Sequence, residues 1–144
     1  MKIEKINDSD FNIYIFLNNF HEDTIYEDTK LLFQKIQKRL KLKGFYRVIV
    51  TYKSVGLFYQ VLKVEDAFYK NTLDLKIEIH NDLDVYFKTE DYFKIKNLGT
   101  IRYYDGMYYG LVDESFDQII EKVEFGDFVF GYDNLSFLDK SYVI

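Results

Sequence analysis

One stretch, Thr24 to Lys43, constrains the chain more than any other, because it is the only long segment with a helical repeat of apolar residues. Ile25, Leu32, Phe33, Ile36 and Leu40 fall on one stripe at helical spacing. Thr24 and Glu27 have the spacing of a capping box, in which the hydroxyl accepts from an early backbone N–H and the carboxylate reaches back. Acidic residues open the segment (Glu22, Asp23, Glu27, Asp28) and basic residues close it (Lys35, Lys38, Arg39, Lys41, Lys43), which suits the helix dipole at both ends. Gly44 then supplies a stop, since glycine takes a left-handed conformation at little cost. Most of the remaining chain alternates in twos. A chain with one long helix and many strands implies an α+β fold, a sheet packed on a helix.

With 144 residues, the chain makes one domain or two small ones. That length buries roughly 68–70% of the unfolded surface, enough for a core without covalent staples. Cysteine is absent, which excludes disulfides, thiolate metal sites and a cysteine nucleophile. No run approaches the ~20 apolar residues of a membrane span, and Met1 to Ile6 contains no continuous apolar stretch of the signal-peptide kind. A cytoplasmic location without membrane association is the expectation. The net charge of −5 argues against nucleic acid as a partner, since such surfaces need dense positive charge. Fourteen Tyr and fourteen Phe are many, but they alternate within strands and come with acidic residues, which points to core and sheet-face packing.

In chain order, Ile3 to Ile6 and the alternating Phe11, Ile13, Ile15 and Leu17 read as a hairpin around the polar turn Asn7–Asp10. After the helix, Tyr46 to Tyr52 and Leu57 to Val64 form a second hairpin around Lys53-Ser54-Val55-Gly56. The first half is therefore ββαββ, with one amphipathic helix on an antiparallel sheet. We expect an N-terminal subdomain over 1–66, a short connection over 67–72 and a sheet-rich subdomain over 73–144. The second half opens with a one-sided strand, Leu73, Leu75, Ile77 and Ile79 against Asp74, Lys76, Glu78 and His80. Asn81-Asp82 then turns the chain so that Leu83 to Lys88 pairs back on it. Glu90 to Lys96 fits a helical turn or a strand. Thr100–Tyr104 and Met107–Val112 flank Asp105-Gly106, the strongest hairpin signal in the chain, since Asp-Gly supplies the positive φ of a type I′ turn. A second helix is expected from Asp113 or Glu114 to Val123, then a strand over Phe128–Tyr132 and a short closing helix over Leu135–Ile144.

Catalytic chemistry has little to attach to. His21 reads as a helix-entry residue and His80 as a solvated one. No glycine-rich loop precedes a helix, and no G-x-S-x-G occurs. Paired carboxylates (Asp8/Asp10, Glu22/Asp23, Asp82/Asp84, Glu90/Asp91, Asp113/Glu114) lie at turns and helix starts, where Asp and Glu are expected for capping. No metal, cofactor or catalytic residue is assigned. Binding to a protein fits better, because Tyr and Phe give contact area at low entropy cost. Tyr103, Tyr104, Tyr108 and Tyr109 flank the Asp105-Gly106 turn and are the candidate contact residues, weighed against ordinary cross-strand packing.

Several islands of sequence, in the same order, resemble the MecA family of adaptor proteins. They are Met1 to Asp8, Leu32-Phe33 in the helix, Lys63-Val64-Glu65-Asp66, and Ile101 to Val112 with its tyrosine-rich hairpin. Glu124-Phe125-Gly126, Phe128-Val129-Phe130 and Asp133-Asn134-Leu135 follow in the family's C-terminal order. The resemblance implies a non-enzymatic adaptor whose N-terminal domain recognises substrate proteins and whose C-terminal domain binds the AAA+ unfoldase ClpC, for delivery to the ClpP protease. It places Tyr103, Tyr104, Tyr108 and Tyr109 in the matching hairpin and suggests Lys35, Lys38 and Arg39 as a polar contact face on the helix. The chain departs from the family where members carry a long acidic linker; here stands the strand Leu73 to Ile79, and the C-terminal domain's first helix shrinks to Glu90–Lys96. This motivates an alternative, an inhibitor or accessory protein that keeps the fold and has lost ClpC binding. A small enzyme using paired carboxylates is the reading from another class.

Overall fold

A computed structural model describes residues 1–16, 21–67, 72–113, 127–131 and 134–144. It is an α+β protein with ten strands in two five-stranded sheets among these residues. The chain divides into two compact units, residues 1–52 with 56–81, and residues 53–55 with 82–144.

In the first unit, β1 (Lys2–Lys5) and β2 (Phe11–Phe16) form the expected hairpin. Its turn is built by Asn7, whose Oδ1 accepts from the backbone N–H of Ser9 at 2.9 Å and of Asp10 at 2.8 Å. The helix, α1 (Ile25–Leu40), buries Ile25, Thr29, Phe33 and Ile36. Leu40, expected on the stripe, is 41% exposed. β3 (Gly44–Lys53) and β4 (Gly56–Glu65) form the second hairpin, and β5 (Leu73–His80) completes the order β1-β2-β4-β3-β5.

The core of this unit lies between α1 and one sheet face: Phe11 and Ile13, then Tyr46, Val48 and Val50, then Leu57, Tyr59 and Val61. Alternation puts these residues on one side, and each fully buried side chain contributes about 1.5–3 kcal/mol. Phe33 meets Tyr59 edge-on at 6.4 Å. The Thr29 hydroxyl donates to the Ile25 carbonyl at 2.7 Å and lies 3.4 Å from the Tyr59 hydroxyl. On the other face Tyr14 stacks on Phe58 at 4.8 Å, and burial pushes the Tyr14 hydroxyl up to about 12.

Three expectations need correction. The capping box does not form: Thr24 ends a 3-10 turn, and its hydroxyl donates to the His21 carbonyl at 3.1 Å and lies 3.0 Å from Asp28 Oδ2. The left-handed residue that stops α1 is Lys41 (φ 53°). Gly44 instead opens β3 at φ 114°, where an added Cβ would strike the Glu65 carbonyl. The third correction is topological. β5 does not pair back with the strand after it. It runs parallel to β3, Gly44 opposite Leu73 through Thr51 opposite His80, so the first sheet is mixed and not purely antiparallel. Its apolar side, Leu73, Leu75 and Ile77, packs on the first core. β5 therefore belongs to the first compact unit, which extends to Asn81; of the expected connection 67–72, residues 68–71 lie outside the described residues.

The second unit holds β6 (Val85–Thr89), α2 (Tyr92–Ile95), β7 (Ile101–Tyr104), β8 (Met107–Leu111), β9 (Asp127–Phe130) and β10 (Tyr142–Val143). The sheet order is β10-β7-β8-β6-β9, and all four neighbouring pairs are antiparallel. Asp105 (φ 49°) and Gly106 (φ 81°) take the expected type I′ conformation. Asp91 caps α2 by accepting from the Phe93 N–H at 3.0 Å. The Asp113–Val123 helix lies outside the described residues, apart from Asp113 itself. The expected closing helix is a short 3-10 helix over Ser136–Lys140, and the chain then ends in β10 rather than continuing as helix.

Candidate functional site

Strand register decides where the four hairpin tyrosines go. Tyr103 stands opposite Tyr108 across β7 and β8, and Tyr142 of β10 stands opposite Tyr103. Residues directly opposite share a face, so Tyr142, Tyr103 and Tyr108 form one row across three strands. The Tyr103 and Tyr108 rings are 5.2 Å apart. Tyr92 of α2 extends the row, 5.4 Å from Tyr108, and Phe93 lies 6.0 Å beyond it. This row is open: Phe93 is 72% exposed and Tyr142 73%, with Tyr103 also exposed. Lys96 Nζ sits 5.6 Å from the centre of the Phe93 ring.

The row sits at the edge of a packed floor. On the same face, Ile101 and Gly110 are opposite one another and Phe87 is opposite Gly110. Ile95 and Leu98 cover this part, against the bare Cα of Gly110. The short α2 thus seals one end of the face and leaves the other aromatic and accessible.

Tyr104 and Tyr109 belong to the opposite face. Phe137 of the 3-10 turn covers them, with ring distances of 5.7 Å and 4.2 Å. Burial raises the Tyr109 hydroxyl above its ordinary value. Arg102 points to the same segment, its Nη1 donating to Ser141 Oγ at 3.2 Å and reaching the Leu138 carbonyl at 3.5 Å. The four tyrosines are therefore two pairs with different surroundings.

Lys35, Lys38 and Arg39 lie exposed on α1, separated by one helical turn, with Leu31 53% exposed on the preceding turn. None of the three makes an ion pair among the described residues. They belong to the first unit and the tyrosines to the second.

The carboxylates show the opposite of general-acid tuning where their titration is displaced. Hydrogen bonding to Lys63, at 2.6 Å, holds Asp66 below the ordinary carboxylate range, and the Arg47 guanidinium does the same to Glu78. No group of three or more His, Asp or Glu residues is placed to hold a metal ion among the described residues. No helix among them is long and apolar enough to cross a membrane.

Tyr92, Phe93 and Tyr142 were not singled out by sequence. Tyr142 falls in the segment whose pattern reads as a closing helix, and only its pairing with Tyr103 gives it significance. Phe93 had a visible signal, an aromatic beside Asp91 and Lys94 in a segment too short to bury both Tyr92 and Phe93. Comparison with known protein families, with characterised proteins and with solved structures gives no match.

Proposed function

We propose that this chain is a non-enzymatic protein–protein adaptor, and that its partners are those implied by the resemblance to the MecA family, a ClpC-type unfoldase and a substrate protein. The observation that carries the adaptor reading is the open aromatic row Tyr142–Tyr103–Tyr108 with Tyr92 and Phe93. Rigid aromatic side chains are the residues that dominate protein interfaces, because they bury large areas while losing few rotamers. Their clustering beside an edge strand gives a partner both ring contacts and backbone groups to meet. The ClpC assignment rests on the sequence islands alone.

A second reading is favoured by β5. Where the family carries a long acidic linker, this chain inserts a strand that pairs along its whole length with β3. The segment that would correspond to the linker is therefore part of the first sheet. Such a chain would act as an inhibitor or accessory binding protein that no longer engages ClpC.

Calorimetric titration of the purified protein with the ClpC N-terminal region, with ATPase activity followed alongside, tests both. Binding with stimulated ATPase is the adaptor's expected result. Binding without stimulation converts the proposal to an inhibitor. No heat at micromolar concentrations removes ClpC as a partner and leaves the accessory-protein reading.

A further inference from the structure

A groove of about 470 Å³ opens in the first unit, between the β1–β2 turn and the C-terminal end of α1. That volume suits a small organic molecule. Phe11 and Tyr46 line it, both nearly buried and edge-to-face at 6.5 Å. Ile3, Leu40 and Leu42 add apolar surface, Ile3 and Leu40 being exposed.

The charges around it run against those of the protein. In a chain of net charge −5, four lysines line this groove, Lys5, Lys41, Lys43 and Lys63, against two aspartates. Both aspartates are engaged. Asp8 lies 3.6 Å from Lys5, and Asp10 accepts from the Lys63 backbone N–H at 2.9 Å and from Asn7 Nδ2 at 3.1 Å. Lys63 is itself held by Asp66. Lys41 and Lys43 make no ion pair among the described residues. The C-terminal end of α1 brings about half a negative charge, which the two ammonium groups outweigh, and Gln37 Nε2 caps the Leu42 carbonyl at 3.3 Å.

A second feature points the same way. Tyr46 is only 4% exposed, yet its hydroxyl has no hydrogen-bond partner among the described residues. The ring is buried while the hydroxyl oxygen itself is not sealed from solvent, so it can donate to a ligand seated in the groove. Lys63 Nζ lies 6.0 Å from the centre of the Tyr46 ring, but Asp66 neutralises it, so the net positive charge of the groove rests on Lys41 and Lys43.

We propose that this groove binds a small organic anion. Its carboxylate or phosphate head lies against the Lys41 and Lys43 ammonium groups and accepts from the Tyr46 hydroxyl, while its apolar body rests on Ile3, Leu40 and Leu42. This inference does not depend on the adaptor reading, which concerns the other unit.

The test is calorimetric titration of the full chain at low ionic strength with phenyl phosphate and with phenylacetate. Inorganic phosphate and benzyl alcohol serve as the two half-ligands. At least one organic anion is expected to bind one-to-one with a sub-millimolar Kd, about tenfold or more tighter than either half-ligand. Whichever binds tighter identifies the head group. The double variant Lys41→Asn with Lys43→Gln keeps a residue that tolerates the left-handed conformation at 41. It is expected to lose about tenfold in affinity with an unchanged melting temperature. Tyr46→Phe keeps the ring and removes the donor, with an expected loss of roughly threefold to tenfold. The proposal is overturned if neither anion binds at millimolar concentration, or if the lysine variant binds as well as the parent. It is equally overturned if inorganic phosphate binds as tightly as phenyl phosphate, and Tyr46 is removed from the site if Tyr46→Phe changes nothing.

Discussion

The two sheets have five strands each, and they are finished in different ways. The first has a sixteen-residue helix across one face, and the side chains beneath it are almost wholly buried. The second has a four-residue helix, α2, and a 3-10 turn, one on each face. A single turn of helix covers Gly110 and Phe87 but cannot reach the end of the strands. Tyr103 and Tyr142 stay at the surface for that reason, while Tyr108 is partly covered by Tyr92. A tyrosine under α1 is a core residue, as Tyr59 is; a tyrosine beyond the end of α2 is available to a partner. The residue type is the same, and the length of the covering element decides its role.

Breaking the cover of the first sheet is expected to have the largest effect. Phe33 is fully buried and contacts Tyr59. Phe33→Ala removes a ring and leaves a cavity under α1, at a cost of about 3–5 kcal/mol. Urea unfolding measures it. A loss below about 1 kcal/mol would mean that α1 does not seal the sheet as described.

The corresponding position under α2 is a glycine, so the comparison is sharpened by adding atoms. A Cβ at 110 would overlap Leu98 Cδ1 and approach Ile95 Cδ1 at 3.5 Å. Leu98 and Ile95 are both buried, so the Leu98 side chain must turn within the packed core to make room. Gly110→Ala is expected to cost about 1–3 kcal/mol by overpacking, and to loosen α2 so that Tyr92 leaves Tyr108. Amide exchange in 92–98 should rise with it. A neutral substitution with unchanged exchange would show that α2 is not seated on Gly110.

How far the sequence reveals this contrast depends on whether the interaction is local. The β7–β8 hairpin was legible because Asp105-Gly106 fixes both turn and register within twelve residues. The α1 stripe was legible because Phe33 and Ile36 repeat at the helical period. The partner of β5 was not. Alternation in Leu73, Leu75 and Ile77 tells which side is apolar, but it carries nothing about the neighbouring strand, and a parallel pairing with β3 skips the whole of β4. The open row was hidden for the same reason, since Tyr142 joins Tyr103 from almost forty residues away. Cap chemistry misled in a third way: Thr24 has the right type and spacing, but the preceding 3-10 turn gives its hydroxyl nearer partners.

The β3–β5 pairing offers a smaller test with a pH signature. Arg47 of β3 holds Glu78 of β5 by a two-pronged ion pair, Nη2 to Oε1 at 3.0 Å and Nε to Oε2. Hydrogen bonding to Arg47 lowers the folded-state value of Glu78. Its contribution is therefore complete above the ordinary glutamate value of about 4.3 and fades as pH falls through the lower folded value. Glu78→Gln should cost about 1 kcal/mol at neutral pH, discounted for partial exposure. As pH falls from about 4.3 through that lower folded value, the variant and parent should converge. A constant difference across that range would assign the loss to packing instead of charge.

The smallest expected effect on stability is also the most informative about function. Tyr142 and Tyr103 are paired across β10 and β7, but both are exposed. Tyr142→Ser with Tyr103→Ser removes two cross-strand pairs at the surface, Tyr103 with Tyr142 and Tyr103 with Tyr108, each near the low end of roughly 0.2–1 kcal/mol, so the loss should stay at about 1 kcal/mol or less. Phe33→Ala, by contrast, should lose several times more. Binding reverses the order. If the open row is the contact surface, the tyrosine double variant should weaken partner binding at least about tenfold, as truncating aromatic anchors does at interfaces. Tyr104→Ser, on the face covered by Phe137, serves as the control. Equal losses of affinity from both faces would show that folding, not contact, controls binding, and the difference between the two pairs of tyrosines would have no functional meaning.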